Sequence, residues 1–107
     1  MSAGGIDVCN FDPSWGGGPT EWRKVAMLAD TFGIGIMSHL ETQVGAALAA
    51  GVPNGKCVEF MQADRDPLYH ALVLNRPAIR EGKMTLSELP GWGLELDAAL
   101  IEKIRAN

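Results

Sequence analysis

The chain of 107 residues has no long apolar run and no excess of positive charge. Its longest apolar stretches, such as residues 44–52, are far shorter than the roughly 20 residues of a membrane-spanning helix, and its N-terminus lacks a basic-then-apolar signal pattern. Lys and Arg number 9 against 13 Asp and Glu, and the net charge of −4 gives no general attraction to nucleic acids or acidic membranes. We therefore expect a cytoplasmic protein that binds neither nucleic acid nor membrane.

Cysteine is also scarce, since only Cys9 and Cys57 are present. Neither belongs to a CxxC motif or to a Cys/His cluster with metal-binding spacing. Each lies in an apolar, strand-like run, so we expect two buried free thiols. Apolar residues make up 47% and charged residues 21% of the chain, which is typical of one globular domain or a piece of a larger one.

The order of apolar runs predicts an α/β fold. Short apolar runs bounded by turn residues indicate buried strands. These lie at residues 6–12, 34–38 and 56–61. Helical spacing and stop signals predict two helices between them, residues 18–33 with Gly18 as N-cap, and residues 41–50. Strand, helix, strand, helix, strand with short links is typical of a parallel sheet with right-handed crossovers.

The pattern changes from Asp64 onward, so residues 1–63 and 64–107 are predicted to differ in structure. We expect an antiparallel or irregular tail. It is predicted to contain a short helix at 68–74 and a hairpin over 78–86 that turns at Glu81-Gly82. An irregular stretch follows at 89–93. A last short helix is capped by Asp97 and carries Leu100, Ile101 and Ile104 on one face.

One polar residue from each predicted parallel strand stands out. Asp12 ends the first strand, His39 ends the second, and Glu59 lies in the third. Ligands and catalytic residues of parallel α/β folds gather at the carboxyl ends of the strands. The three side chains are therefore expected to converge on one substrate.

Each of these residues also has a purely structural interpretation. Asp12 can initiate a turn, His39 can cap the next helix, and Glu59 can pair with Lys56 or Arg65. Their coincidence at equivalent positions favours acid–base chemistry instead, because a carboxylate beside an imidazole raises its basicity and fixes its tautomer. A carboxyl group held in an apolar strand tends toward its protonated form, which would complete such a set.

Three glycines at residues 16–18 open the first predicted helix and suggest an anion site made of backbone amides. They lack the Lys of a P-loop and the spacing of a dinucleotide fingerprint, so a tight turn is the preferred interpretation and a nucleotide-binding protein only a remote one. Trp22 and Trp92 are expected to pack in a core or between subunits. Trp15, beside the predicted site, is the only tryptophan considered for substrate contact.

Several segments together resemble the C-terminal part of the enolase superfamily, in particular the mandelate racemase/muconate lactonizing enzyme family and its acid-sugar dehydratases. They are NFDPSWGGGPTEW, MLADTFGIGIMSHLE, AALAAGVPNGKCVEF, RDPL and PAIREGKMTLSELPGWGLELD. The resemblance implies a partial TIM (β/α) barrel. Residues 1–63 would be about the last three parallel strands with their helices, and residues 64–107 a tail that packs back toward a capping domain.

The resemblance also implies roles for the three polar residues. Asp12 orients and tunes His39, His39 is a general acid/base at the α-carbon or the β-leaving group, and Glu59 hydrogen-bonds the developing enediolate. The muconate lactonizing group is expected to have a Lys at the position of Asp12, so this pair favours the mandelate racemase-like branch. The implied enzyme is Mg²⁺-dependent and acts on a sugar-acid carboxylate as a dehydratase, or as a racemase or cycloisomerase.

A complete barrel takes about 250 residues, so much of such an enzyme is missing from this sequence. The resemblance places the Mg²⁺ ligands and a second base upstream, and Asp7, Asp30 and Asp64 are not obvious substitutes. We expect no metal ligand in this chain and no activity from the chain alone. A natural split subunit, a truncated gene product and a cloned fragment all remain open.

A slice of a barrel has unpaired strand edges and an uncovered face, which favour association. The expected partners are a second copy of the chain or a complementing N-terminal segment, with a small sugar acid as ligand of the complete enzyme. A non-catalytic self-assembling fragment or scaffold subunit is the alternative.

Overall fold

The computed structural model describes residues 1–105, and the chain divides into two compact units. Unit 1 is Met1–Phe60, and unit 2 begins at Met61. In the described part of the chain, every helix is too short or too polar to cross a membrane.

Unit 1 alternates strands and helices. In chain order it contains β1 (Val8–Phe11), α1 (Gly18–Thr31), β2 (Gly35–Ser38), α2 (Thr42–Ala50) and β3 (Gly55–Val58). The strands form a parallel sheet of order β1-β2-β3, with Phe11 opposite Ser38 and Ser38 opposite Val58. The predicted parallel α/β architecture is confirmed.

Helix α1 begins one residue earlier than a Gly18 cap would allow. Gly17 is the N-cap, with φ of 98°, and Gly18 is the first helical residue. The loop before it is closed by Gly16 N–H donating to the Asp12 carbonyl, 3.0 Å, and Gly18 N–H donating to the Pro13 carbonyl, 2.7 Å. A left-handed φ of this size favours glycine, which accounts for the position of the cap.

The core of unit 1 lies between the sheet and its helices. Its buried members are Trp22, Ala26, Ile36 and Leu48. Cys9 and Phe11 of β1 pack against this cluster, whereas the alternate residues Val8 and Asn10 are exposed. Because side chains alternate across a strand, helices cover one face of the sheet and the other face is open.

This one-sided packing corrects two expectations. Strands β1 and β3 are partly exposed rather than buried, whereas β2 is buried as predicted. The expectation of two buried thiols is wrong, since Cys57 is exposed and Cys9 is half-buried. Cys57 points away from the helices, and its Sγ lies 3.7 Å from the Sδ of Met37 on β2. Both thiols are free, as expected.

Two predicted boundaries also shift beside the strand ends. β3 ends at Val58 rather than at residue 61, because the next carbonyl, that of Glu59, accepts a hydrogen bond from the Thr42 hydroxyl at 3.0 Å. α2 begins at Thr42 rather than at residue 41, because Glu41 is in the left-handed conformation with φ of 47°.

Unit 2 is an irregular α+β segment, as predicted. Its elements are α3 (Pro67–Leu72), β4 (Ile79–Arg80), β5 (Lys83–Met84) and α4 (Ala98–Ile104). The β4–β5 hairpin turns at Glu81-Gly82, where both residues have positive φ, and Asp97 caps α4 by accepting from Leu100 N–H at 2.9 Å. The helix predicted at 68–74 is shorter and earlier, because Asp66 caps it through Tyr69 N–H.

Candidate active site

Three parallel strands end at the same edge of the unit 1 sheet, and a polar residue follows each. Asp12 follows β1, His39 follows β2 and Glu59 follows β3. His39 N–H donates to the Phe11 carbonyl at 3.3 Å, and Glu59 N–H donates to the Ser38 carbonyl at 3.4 Å, so the ladder extends to these residues. The structure therefore brings the three predicted residues together, with Glu59 just beyond its strand rather than in it.

The Asp12 carboxylate is held by the loop that follows it. Its Oδ1 accepts hydrogen bonds from Ser14 N–H at 2.8 Å, from the Ser14 hydroxyl at 2.8 Å and from Trp15 N–H at 2.9 Å. Asp12 thus does initiate a turn, the structural role foreseen for it. Because these bonds engage one carboxylate oxygen, the turn also fixes the direction of the other.

That second oxygen meets His39. Asp12 Oδ2 lies 2.8 Å from His39 Nδ1. Desolvation raises the pKa of Asp12, but the hydrogen bonds from His39, Trp15 and Ser14 outweigh it and lower the pKa to about 2. Asp12 is therefore an ionised acceptor at neutral pH, and the proton between the two residues belongs to Nδ1 of His39.

The pKa of His39 is raised above 6.5. The hydrogen bond to Asp12 is the largest cause; desolvation opposes it, and the negative charges of Glu59 and Asp12 raise the pKa further. The imidazole side chain is 40% exposed and that of Asp12 only 13%. The pair thus combines a covered carboxylate with an accessible base.

Glu59 stands on the other side of the imidazole ring. Its Oε2 lies 3.7 Å from His39 Nε2, which is beyond hydrogen-bond distance. The same oxygen accepts Leu40 N–H at 2.9 Å, and the Glu59 carbonyl accepts the Thr42 hydroxyl. This network, rather than a pairing with Lys56 or Arg65, positions Glu59.

The backbone after His39 is strained. Leu40 and Glu41 have φ of 51° and 47°, a left-handed conformation that costs a non-glycine residue roughly 1–2 kcal/mol. Strain of this kind clusters at functional sites. Glu41 rather than His39 is the N-cap of α2, so the capping role considered for His39 is wrong.

The described residues do not fit a metal ion. Within residues 1–105, no group of three or more His, Cys, Asp or Glu side chains is arranged to hold one. Both carboxylate oxygens of Asp12 and the Oε2 of Glu59 already accept hydrogen bonds from backbone or side-chain donors. The chemistry that these residues can perform is therefore that of an acid–base pair, Asp12 and His39, with the Glu59 carboxyl group beside it.

Trp15 and three further residues lie beside the three polar side chains and form hydrogen bonds with Asp12 or Glu59. Trp15 is 88% exposed, and its backbone N–H rather than its ring contacts Asp12. Ser14, Leu40 and Thr42 were missed by reasoning from the sequence. The Asp-Pro-Ser run at residues 12–14 was an available signal for Ser14, because Asp side chains accept backbone N–H groups two residues on.

Comparisons with family models, curated proteins and solved structures all point to the same family. Residues 1–100 match the family described as enolase C-terminal domain-like. The D-xylonate dehydratase of Haloferax volcanii is 32% identical over 102 residues, which are 91% of this chain and 24% of that enzyme. The chain spans about a quarter of the length of the curated relatives that it matches.

Solved structures agree. The mandelate racemase/muconate lactonizing enzyme from a marine actinobacterium, in complex with magnesium, is 41% identical with a TM-score of 0.94, covering 100% of this chain and 30% of its own. The L-talarate dehydratase from Polaromonas sp. JS666, complexed with magnesium and L-glucarate, is 29% identical with a TM-score of 0.79, covering 94% of this chain and 26% of its own. The likeness thus covers less than a third of either enzyme.

Proposed function

Because the chain belongs to the enolase C-terminal domain-like family, in its mandelate racemase-like part, we propose that it supplies the acid–base residues of an enzyme that removes the α-proton of a sugar-acid carboxylate. The parallel α/β unit is part of a (β/α) barrel. Dehydration is the favoured outcome, since the relatives include D-xylonate and L-talarate dehydratases. Racemisation and cycloisomerisation are the related outcomes of the same proton transfer.

The observation that carries the proposal is the 2.8 Å contact between Asp12 Oδ2 and His39 Nδ1. Because Nδ1 holds its proton toward Asp12, the lone pair of a neutral imidazole is at Nε2. Nε2 is the atom nearer Glu59, and the 3.7 Å gap leaves it without a bond to that carboxylate. A substrate placed there meets a base whose orientation is fixed by an ionised partner.

The proton transfers follow from this geometry. As a base, His39 Nε2 takes the proton from the α-carbon, and the electron pair of the C–H bond passes into the carboxylate to give an enediolate. As an acid, the protonated imidazole gives its Nε2 proton to a β-hydroxyl group. The electron pair of the enediolate forms the Cα–Cβ double bond, the Cβ–O bond breaks and water leaves, and the resulting enol tautomerises to the 2-keto acid. Asp12 is a positioning residue here, since it acts through His39.

Glu59 is assigned the hydrogen bond to the developing enediolate. The Leu40 N–H bond to Oε2 holds the side chain beside Nε2. Trp15 is proposed as a substrate contact because its ring is exposed and its backbone adjoins Asp12.

Magnesium is absent from these steps because residues 1–105 offer no site for it, although structural relatives contain it. The proposal gives this chain only the acid–base half of a complete enzyme. Residues 1–63 would be barrel and residues 64–107 the tail that packs toward a capping domain. Activity would then need a second copy or a complementing N-terminal segment, and the cytoplasmic location stays a prediction.

Complementation tests this function. The chain is co-expressed with the preceding part of the barrel from the 41% identical actinobacterial relative, carrying no copy of the three polar residues. The complex is supplied with Mg²⁺ and a panel of aldonic and aldaric acids, and the 2-keto-3-deoxy product is measured as its semicarbazone. We expect turnover of at least one acid, and none by the chain alone.

The matched variants are His39→Asn and Asp30→Asn, the latter an exposed carboxyl on α1. Loss of general acid–base catalysis costs roughly 100- to 10,000-fold, so His39→Asn should remove measurable turnover while Asp30→Asn keeps it. Equal activity of the two variants would exclude His39 as the acid–base residue.

A self-assembling, non-catalytic subunit is the second candidate. One face of the unit 1 sheet is open, and within the described residues β1 and β3 each pair with only one strand. Exposed edges and apolar faces favour association. If this alternative holds, Asp12→Asn would leave the biological activity unchanged, whereas Val8→Asp, on the open face, would dissolve the assembly by burying a charge.

A further inference from the structure

The backbone carbonyl of Phe11 accepts two hydrogen bonds. One comes from the indole Nε1–H of Trp22, at 3.1 Å, and the other from the backbone N–H of His39, at 3.3 Å. A carbonyl oxygen has two lone pairs, so both donors are satisfied. This single oxygen therefore joins α1, β1 and the residue that follows β2.

The position of this oxygen matters because its peptide leads directly into Asp12. A peptide unit is planar, so fixing the direction of the Phe11 carbonyl fixes the point from which Asp12 leaves the strand. The same oxygen fixes the backbone of His39. Both members of the acid–base pair are thus tied to one anchor.

Trp22 is the side-chain part of that anchor. It is fully buried in the cluster with Ala26, Ile36 and Leu48, and its ring alone would serve as core packing. The indole N–H is a donor that must find a partner when buried. Here its partner is the carbonyl next to Asp12, so a core residue reaches the edge of the site.

We propose that Trp22 is a positioning residue for the acid–base pair, which it holds through the Phe11 carbonyl. The assignment rests on the proposed acid–base role of Asp12 and His39. It adds a residue that lies in the hydrophobic core and whose hydrogen bond goes to a backbone carbonyl rather than to either of their side chains. Trp22 positions the pair through its indole N–H group, and the volume of its ring serves only to fill the core.

Loss of this donor has a specific consequence. The Phe11–Asp12 peptide gains freedom to rotate, and the bond from Asp12 Oδ2 to His39 Nδ1 lengthens. The charged groups that face His39 are Asp12 and Glu59, and the bond to Asp12 is the largest cause of its raised pKa. A looser pair therefore has a lower His39 pKa, whereas a cavity elsewhere in the core does not change it.

The His39 pKa is measured by NMR titration of the imidazole signals in the full chain. Trp22→Phe, which removes the donor and keeps an aromatic ring, should lower the pKa toward the value found in Asp12→Asn. Leu48→Ala is the matched control, because it opens a cavity in the same cluster without removing a hydrogen bond. It should lower Tm and leave the His39 pKa where it is.

A second variant separates hydrogen bonding from packing. In a Trp15→Phe, Trp92→Phe background, 3-benzothienylalanine replaces Trp22, so that sulfur stands where the indole has N–H and the ring shape is kept. A lowered His39 pKa in this folded protein supports the proposal, and an unchanged pKa overturns it. Neither titration requires turnover, so the result stands apart from the complementation assay of the proposed function.

Discussion

At the residue scale, Asp12 and His39 move each other's pKa in opposite directions. The carboxyl pKa is lowered to about 2 and the imidazole pKa is raised above 6.5. Each shift stabilises the charged form that the other residue attracts. Between these two pKa values the pair is an ion pair, and above the imidazole pKa it is a neutral base held by a carboxylate.

Asp12→Asn is therefore expected to lower the pKa of His39. The substitution keeps the size of the side chain, but it removes the charge and the strongest acceptor of Nδ1–H. NMR titration of His39 in the variant and in the unaltered chain measures the difference. Asp30→Asn, on the exposed side of α1, is the control and should leave the pKa unchanged; an equal shift in both variants would contradict the account.

The same shifts predict how stability depends on pH. Because the folded-state pKa of His39 lies above 6.5, its contribution to the free energy of unfolding is complete below pH 6.5 and is lost as pH rises through the folded-state pKa. Because the pKa of Asp12 is lowered from 3.8 to about 2, its contribution is present above pH 3.8 and is lost as pH falls toward 2.

Denaturant unfolding at a series of pH values measures both limits. His39→Gln should remove the loss of stability on the alkaline side and leave most of the acid-side loss that other carboxylates cause. An alkaline-side slope that is identical in His39→Gln would show that the pair does not produce it.

The three polar residues could be found from the sequence because each stands at the end of an apolar run. Their positions follow from strand order and from the parallel alignment of the strands. Trp22 and Leu40 could not be found in this way, since the Trp22 indole N–H donates to the Phe11 carbonyl and the Leu40 backbone N–H donates to the Glu59 carboxylate. Such contacts depend on the tertiary register.

At the element scale, the loop between β1 and α1 is shaped by a close approach at Gly16. A Cβ atom there would lie 2.4 Å from the Phe11 ring and 2.6 Å from the Asp12 carbonyl oxygen. The ring can move, but the backbone oxygen belongs to the residue that pairs with His39. Gly16 thus has no room for a side chain.

Gly16→Ala should destabilise the chain by about 1–3 kcal/mol, the usual cost of overpacking, and should also lower the His39 pKa. Gly5→Ala is the matched control, because a Cβ at that position meets nothing within 4 Å. Denaturant midpoints and the His39 titration are measured for both variants. Gly16→Ala that is as stable as Gly5→Ala would show that the loop adapts.

Element existence was more predictable than element length. Strand and helix order followed from apolar periodicity and from glycine and proline punctuation. The end of β3 and the start of α2 did not, because the Thr42–Glu59 bond and the left-handed Glu41 decide them. Residues 40 and 42 also contact Glu59 in the site. Their conformation is set by these tertiary hydrogen bonds rather than by local sequence propensity.

At the scale of the whole molecule, the open face and edges of the unit 1 sheet indicate association. Val8 on β1 is 42% exposed. We expect the chain alone to have a solution mass above the 11.4 kDa of a monomer by light scattering. Val8→Lys should lower that mass, because lysine on an edge strand blocks pairing.

Met27→Lys is the control for this substitution, since Met27 is an exposed apolar residue on α1 rather than on the sheet. It should leave the mass unchanged. A monomeric chain, or equal masses for Val8→Lys and the unaltered chain, would contradict association through the sheet.

The family itself was predictable because its motifs run through most of the chain, and the match over residues 1–100 confirms it. The partial exposure of β1 and β3 was not, because apolar runs indicate burial without saying which part of a molecule provides it. The structural relatives are more than three times as long as this chain. In this chain, the second face of the sheet is exposed.

The most direct test of the central claim is transfer of solvent deuterium to the α-carbon of a sugar acid. The complemented complex is incubated with D-xylonate or a related acid in D₂O, and exchange at the α-position is followed by proton NMR. The account predicts exchange that is abolished in His39→Asn and retained in Asp30→Asn. No exchange in the assembled complex, or exchange that persists unchanged in His39→Asn, would contradict the assignment of His39 as the acid–base residue.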